Sequence, residues 1–151
     1  QVDDLYVSDA YHSLSIEGYR LTPDLIQKIR SGDWNPDNTD ADREHRNALA
    51  ARGYWEAFQE VKTSVEKILA GENAGQVLDE DHGNWYRKLF APSVAVGILR
   101  AGDLAGYRND QVYIRRSMHV PPSKEAVREL MPTFFDLLQE ETEPGVRVVL
   151  G

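Results

Sequence analysis

The chain has 151 residues, enough for one domain with a real core, and its 17 basic and 25 acidic side chains give a net charge of −8. This charge disfavours a general nucleic-acid binder and a protein that docks on an anionic membrane. The absence of cysteine excludes disulfides, a thiolate nucleophile and a cysteine-based zinc site. The longest mainly apolar run, 91–99, is far short of the roughly 20 residues of a membrane helix, and no signal peptide is visible. We therefore expect a cytoplasmic protein with no membrane partner.

Apolar residues at helical spacing predict a first amphipathic helix over 3–17. Asp9, Ser13 and Glu17 follow one another at intervals of four and so share one polar stripe of that helix. Gly18 suits the helix end, because the left-handed conformation of a C-terminal cap costs glycine nothing. The Glu17 carboxylate then lies at the negative end of the helix dipole, where it calls for a cation.

The next elements are marked by capping residues. Thr22 predicts an N-cap and Pro23 the first position of a second helix, which Gly32 ends. Turn-forming residues predict a loop over 33–42. A long helix is predicted over 41–70.

One face of this long helix is apolar at helical spacing. Its members are Ala51, Tyr54, Trp55, Phe58, Val61, Val65, Ile68 and Leu69. Gly53 inside the helix costs about 1 kcal/mol relative to alanine. Close packing of another element beside Gly53 would explain a glycine at this position.

The second half of the chain is predicted to add a helix over 78–90 and a β-hairpin over 104–114, where polar and apolar residues alternate after a turn signal. Ser123 then caps a helix that Pro132 should kink. The apolar stretch 146–150 resembles the opening of a further helix.

The hairpin region is locally basic on an acidic protein. Its four arginines, Arg100, Arg108, Arg115 and Arg116, outnumber two aspartates, Asp103 and Asp110. Charge alone favours a solvated hairpin over a phosphate site.

General catalytic signatures are missing from the sequence. It contains no P-loop, no dinucleotide-binding glycine motif, no nucleophile elbow and no zinc-protease motif. The four histidines have no metal-ligand spacing. The residues by themselves predict a soluble, mostly helical domain with one hairpin, no catalytic residue and no metal site.

Several segments resemble the Fic family in that family's order. Ser13-x-x-x-Glu17-Gly18 resembles the inhibitory motif [S/T]-x-x-x-E-[G/N]. The stretch 43–58 is similar to the first core helix of Fic domains, 85–90 to the next core helix, and 106–114 to the flap. Together these segments cover nearly the whole chain.

The resemblance implies a mainly α fold, a Fic-like helical bundle with one β-hairpin flap. It divides the chain into an inhibitory helix and connector over 1–22 and the N-terminal portion of a single Fic domain over 23–151. The catalytic motif H-P-F-x-[D/E]-G-N-G-R is absent, and by the helix rise we expect it about ten residues beyond 151. No residue here inherits a catalytic role, and this part alone is expected to be inactive.

The resemblance also implies a reaction. Fic proteins mostly transfer AMP from ATP, with Mg²⁺, to a hydroxyl of a target protein. In such a scheme ATP and Mg²⁺ belong to the complete domain, and this part alone holds neither. Ser13, Glu17 and Gly18 would be inhibitory, with Glu17 pairing with the last arginine of the motif, which otherwise grips the γ-phosphate. The target-docking flap would comprise Gly106, Tyr107, Arg108, Val112, Tyr113 and Ile114.

Three alternatives remain open from the sequence. The chain could be a non-catalytic helical interaction or regulatory module in which Glu17 is ordinary. It could be a Fic relative with another donor, although the inhibitory glutamate favours AMP. It could also be a regulatory part that self-associates or meets a missing C-terminal half, for which an exposed apolar 146–150 would be suitable.

Overall fold

The computed structural model describes residues 2–34 and 42–150, and within them the protein is mainly α. This confirms the coarse fold prediction. The helices are α1 Val2–Ile16, α2 Pro23–Ser31, α3 Asp42–Leu69, α4 Ala74–Ala95, α5 Lys124–Glu140 and α6 Pro144–Leu150, with a 3₁₀ turn at Ala101–Leu104. Most of the loop predicted over 33–42 lies outside the described residues.

The long helix α3 is the centre of the fold. It contacts α1 and α2 at its N-terminal half and runs beside α4, which in turn packs against α5. The main core lies where α1, α2 and α3 meet. Its buried members are Tyr6, Ala10, Leu14, Leu21, Ile26, Ile29, Ala48 and Ala51. The helix that carries the candidate inhibitory motif thus shares one core with the two helices that follow it.

The predicted ends of α1 and α2 are confirmed. Gly18, two residues after α1 ends at Ile16, and Gly32, directly after α2, adopt left-handed φ values of 85° and 80°. The Thr22 hydroxyl accepts a hydrogen bond from the Leu25 N–H at 3.2 Å, as an N-cap does. These ends depend on local backbone chemistry, which is why short sequence patterns located them.

Two glycines let helix backbones approach closely. A Cβ built on Gly53 would lie 1.9 Å from the carbonyl oxygen of Leu89, so α3 and α4 can pack this closely only without a side chain there. A Cβ on Gly75 would lie 2.5 Å from the carbonyl carbon of Leu138 in α5. The close packing expected beside Gly53 is confirmed, whereas Gly75 belongs to α4, which begins at Ala74 rather than at residue 78.

The predicted β-hairpin over 104–114 is not confirmed, because the described residues contain no strand. The 3₁₀ turn ends at Leu104, and the chain stays irregular until α5 begins at Lys124. Within 2–34 and 42–150, the alternating stretch 111–114 has no partner strand to complete a ladder. Alternation describes which side chains could share a face, but pairing requires a second strand at the right distance.

A polar network joins α3 to α4 behind the core. Ser64, only 3% exposed, donates from its hydroxyl to Asp81 at 2.5 Å and accepts from the Trp85 indole N–H at 3.1 Å. The Lys67 ammonium lies 2.8 Å from the same carboxylate. The apolar face predicted for this half of α3 is correspondingly less buried, and Leu69 is 81% exposed.

This network makes stability depend on pH. The Lys67 ammonium and the Ser64 hydroxyl hold the pKa of Asp81 below its usual range. A carboxyl with a lowered pKa in the folded state stabilises the protein above its unfolded pKa of about 3.9, and that contribution is lost as pH falls through the folded value. We expect the urea midpoint of wild type to fall more steeply below about pH 4 than that of Asp81→Asn.

The control for this prediction is Asp136→Asn, which changes an exposed aspartate on α5. This variant leaves the Ser64–Asp81–Lys67 network intact, so urea unfolding between about pH 3 and 7 should keep the steep acid dependence. An unchanged slope in Asp81→Asn would show that the network contributes nothing to acid sensitivity.

Candidate functional site at the end of α1

A cavity of about 810 Å³ lies where the C-terminal end of α1 meets α3, α4 and the residues before the 3₁₀ turn. Its wall is mostly apolar, and includes Leu14, Ile16, Leu49, Leu89, Phe90 and Ile98. Two charged side chains also line it, Glu17 and Arg46. An apolar cavity with a few polar groups is the usual form of a ligand or partner site.

Glu17 is exposed at the point where α1 gives way to Gly18. Its backbone N–H still bonds the Ser13 carbonyl at 3.3 Å, so the carboxylate extends from the last turn of the helix. Arg46 borders the same cavity and a smaller adjoining one with Glu17. No ion pair joins Glu17 to a cation among the residues that the structure describes, so the carboxylate is open to a partner.

Tyr54 of α3 links the other two members of the polar stripe. Its hydroxyl donates to the Asp9 carboxylate at 2.5 Å and lies 3.3 Å from the Ser13 hydroxyl. Burial and the bond to Asp9 both raise the pKa of Tyr54 above its usual value. Asp9 and Ser13 therefore dock α1 on α3, while Glu17, further along the stripe, faces the cavity.

The connector after α1 is held by a second contact. The side-chain amide of Asn47 donates to the Arg20 carbonyl at 2.7 Å, and its oxygen accepts from the Arg20 N–H at 3.4 Å. Because the Asn47 side chain bonds both the N–H and the carbonyl of Arg20, it takes the place of a backbone partner. Glu17 is thus positioned by contacts to α3 on either side of it.

Two tyrosines near this site should respond oppositely to loss of their hydroxyls. Tyr54→Phe removes a bond to a carboxylate, and we expect it to lower the free energy of unfolding by about 1–2 kcal/mol. Tyr6 is 0% exposed and its hydroxyl has no hydrogen-bond partner within the described part of the chain. Tyr6→Phe should therefore leave stability unchanged or raise it by up to about 1 kcal/mol. Urea unfolding of the two variants measures this contrast, and equal losses in both would contradict it.

Of the first three predicted flap residues, Tyr107 contacts helix α4, and Arg108 bonds the connector before α5. Gly106 has a φ of 72°. The Tyr107 hydroxyl lies 3.4 Å from Nε2 of His82, with the two rings stacked at 6.3 Å. The Arg108 guanidinium donates to the Pro122 carbonyl.

The other three flap residues are exposed. Val112 is 43%, Tyr113 74% and Ile114 52% exposed. None of the six predicted flap residues lines the cavity at Glu17. The structure thus groups Ser13 and Glu17, next to Gly18, at one site and leaves the flap segment as a separate surface.

Sequence reasoning did not single out Arg46, Asn47 or Tyr54. Helical spacing places Tyr54 on the apolar face of α3, although a tyrosine has a polar tip that can bond at the edge of a core. Arg46 and Asn47 lie inside the stretch that resembles a Fic core helix, but no spacing marks them as neighbours of Glu17. Only the packing of α1 on α3 brings them together.

Comparison with known proteins yields no assignment, since no protein-family model, curated protein or solved structure matches the chain. The described residues contain no group of three histidine, aspartate or glutamate side chains suited to a metal ion. Among the helices that the structure describes, none is long and apolar enough to cross a membrane.

Proposed function

We propose that the chain is part of a Fic-type protein adenylyltransferase, which transfers AMP from ATP to a hydroxyl of a target protein. In this proposal Glu17 is the autoinhibitory carboxylate, supported by Ser13 and Gly18. The observation that carries the proposal is the position of Glu17, exposed beside a cavity and without an ion-pair partner in the described residues.

The inhibitory role requires a carboxylate that is available and well positioned. Glu17 meets the first condition, because its side chain has no bonded partner in the part of the chain that the structure describes. The contacts of Tyr54 and Asn47 with residues on either side of Glu17 meet the second. A carboxylate held in this way can accept the fork of an arginine through two parallel hydrogen bonds. In the complete domain that arginine would come from the catalytic motif, with Arg46 as a neighbouring competitor.

ATP and Mg²⁺ do not fit the described residues by themselves. Among the residues that the structure describes, Arg46 is the one cationic residue that lines the cavity. No group of three possible metal ligands occurs in the same part of the chain. In the proposal both are held by the complete domain. The part played by this chain is to position the inhibitory carboxylate and to bind the target protein.

The segment 106–114 supplies the target-binding surface of the proposal. Its exposed stretch from Val112 to Ile114 makes no backbone–backbone hydrogen bond to another described segment. Free peptide groups can pair with an extended peptide by strand addition, which gives affinity through main-chain bonds. The segment needs no hairpin of its own for this mode, because the incoming peptide supplies the second strand.

The reaction class is tested by incubating the full-length protein and a cell extract with ATP labelled on either the α- or the γ-phosphate. The proposal expects label from the α-phosphate on a protein band and none from the γ-phosphate. Transfer of the γ-phosphate would instead indicate phosphorylation. If the full-length protein neither binds ATP nor labels a protein, the proposal is wrong.

A non-enzymatic interaction module is the second candidate, favoured by exposed apolar side chains. Ile16 at the cavity is 84% exposed, and Val148 and Val149 on α6 are 80% and 85% exposed. Such surfaces are typical of proteins that bind a partner. Calorimetric titration of the full-length protein with ATP separates the candidates, because an interaction module has no reason to bind the nucleotide.

A further inference from the structure

Residues 111–120, here named the docking segment, form a continuous exposed surface. Every residue in this range is exposed. Three of its apolar residues are highly exposed: Met118 is 98%, Tyr113 74% and Val120 62% exposed. Apolar side chains that cluster at the surface mark a site of protein interaction more often than isolated ones do.

The base of the docking segment is held in place. The Gln111 side-chain amide donates to the Pro121 carbonyl at 3.1 Å, which ties the two ends of the segment together. Just outside it, the Arg128 guanidinium of α5 donates to the Asn109 side chain at 2.5 Å. A surface fixed at its base loses less conformational entropy when it binds a partner.

The backbone of the docking segment is largely free to pair. Its one internal backbone–backbone hydrogen bond runs from the Ser117 N–H to the Ile114 carbonyl at 3.1 Å, which closes a turn. In the stretch before this turn, the Val112 carbonyl accepts from the Gln111 side-chain amide at 3.2 Å. The backbone groups of Tyr113, and the N–H groups of Val112 and Ile114, make no backbone–backbone hydrogen bond within the described chain. An extended peptide can therefore lie along this stretch and bond its peptide groups.

The charge of the docking segment is opposite to that of the protein. Arg115 and Arg116 are exposed in the turn, and neither forms an ion pair in the ranges that the structure describes. No acidic residue occurs in 111–124, on a chain whose net charge is −8. Complementary charge favours encounter with an acidic partner and disfavours a basic one.

Arg116 occupies a backbone conformation that suits glycine better. Its φ of 62° is the one positive value of a non-glycine residue in the described chain. It is the third residue of the turn closed by Ile114 and Ser117, where a positive φ is normally supplied by glycine or asparagine. A strained residue at an exposed turn points to a role for its side chain.

We propose that the docking segment binds an extended, acidic segment of a partner protein, with apolar side chains alternating with glutamate or aspartate. The peptide groups near Val112 to Ile114 supply main-chain bonds, the exposed apolar residues supply contact area, and Arg115 and Arg116 select the acidic charge. This inference rests on the proposed function in one respect, because it takes the bound segment to belong to the protein that is modified.

The test is fluorescence anisotropy with a labelled ten-residue peptide in which valine and glutamate alternate, added to the protein without ATP. Two matched peptides replace the two central glutamates with glutamine or lysine. We expect the glutamine peptide to bind roughly tenfold more weakly than the glutamate peptide, since it loses two exposed ion pairs. The lysine peptide should bind more weakly still. Equal binding of the three peptides overturns the proposal.

Two protein variants localise the effect. Arg115→Gln combined with Arg116→Gln should abolish the preference for glutamate. The matched control, Lys28→Gln combined with Arg87→Gln, removes the same charge from exposed positions on α2 and α4 and should keep the preference. Loss of the preference in the control, or its survival in the arginine double variant, overturns the assignment to this segment.

Arg116→Gly separates binding from folding. Glycine removes the strain at this φ, so the variant should unfold at the same or a higher temperature while it binds the glutamate peptide more weakly. Unchanged affinity overturns the role of Arg116. Anionic lipid vesicles are included as a competitor, and binding to them through both arginines without any peptide preference also overturns the proposal.

The peptide-binding experiment and the AMP-transfer assay can succeed or fail independently of each other. Charge-selective peptide binding without AMP transfer by the full-length protein leaves this inference in place and removes the enzymatic one. AMP transfer without any preference for the glutamate peptide would support the enzymatic proposal and remove this inference.

Discussion

Replacing Gly53 with alanine is expected to lower the free energy of unfolding by roughly 3 kcal/mol or more, at the upper end of the cost of overpacking. The added Cβ would lie 1.9 Å from the Leu89 carbonyl oxygen, which is backbone and cannot move away by a change of rotamer. The helices α3 and α4 must therefore separate along their contact. Alanine recovers only about 1 kcal/mol through its helix propensity. For a chain of this size we expect the melting temperature to fall by about 10 °C.

The matched control is Gly83→Ala, another glycine inside a helix. Its Cβ would lie 3.3 Å from the end of the Arg87 side chain, which is flexible and can move. The helix-propensity gain should dominate there, so thermal unfolding should show unchanged or slightly higher stability. A Gly53→Ala variant as stable as Gly83→Ala would mean that α3 and α4 do not pack as closely as described.

Glu17→Gly in the full-length protein is expected to raise transfer of AMP to the target by about 10–100-fold. A hydrogen-bonded carboxylate–arginine pair contributes about 1.5–3 kcal/mol, and its loss shifts the balance toward the active arrangement by that amount. The carboxylate is exposed at the cavity, so its removal leaves no buried group unpaired. The measurement is the initial rate of target labelling from ATP labelled on the α-phosphate.

Two variants separate the carboxylate from the helix that carries it. Glu17→Gln keeps the side-chain length and removes the charge, and it should activate in the same direction. Ser15→Gly, on the same exposed turn, weakens the end of α1 but keeps Glu17, and it should not activate. If Ser15→Gly activates, inhibition depends on the stability of α1 and not on the carboxylate. If Glu17→Gly labels the target no faster than wild type, Glu17 has no inhibitory role.

Local chemistry explains which elements could be predicted from the sequence. Gly18, Thr22 and Gly32 act through the backbone within a few residues, so the ends of α1 and α2 followed from short patterns. The predicted hairpin is not found, because strand pairing requires a partner at the right distance, and residues 111–114 have none among the residues that the structure describes. The predicted helix over 78–90 left Gly75 outside it, but the approach of α5 gives Gly75 a packing role inside α4.

The sequence by itself determined the mainly α fold, the caps of the early helices and the polar stripe that places Ser13 and Glu17 on one side of α1. The tertiary structure decided which of these residues meet other groups. Tyr54 bonds Asp9 and Ser13 only because α1 lies across α3. The Ser64 hydroxyl bonds Asp81 and Trp85 only because α4 packs beside α3. Contacts between residues far apart in sequence depend on the geometry of helix packing, which periodicity within one helix does not specify.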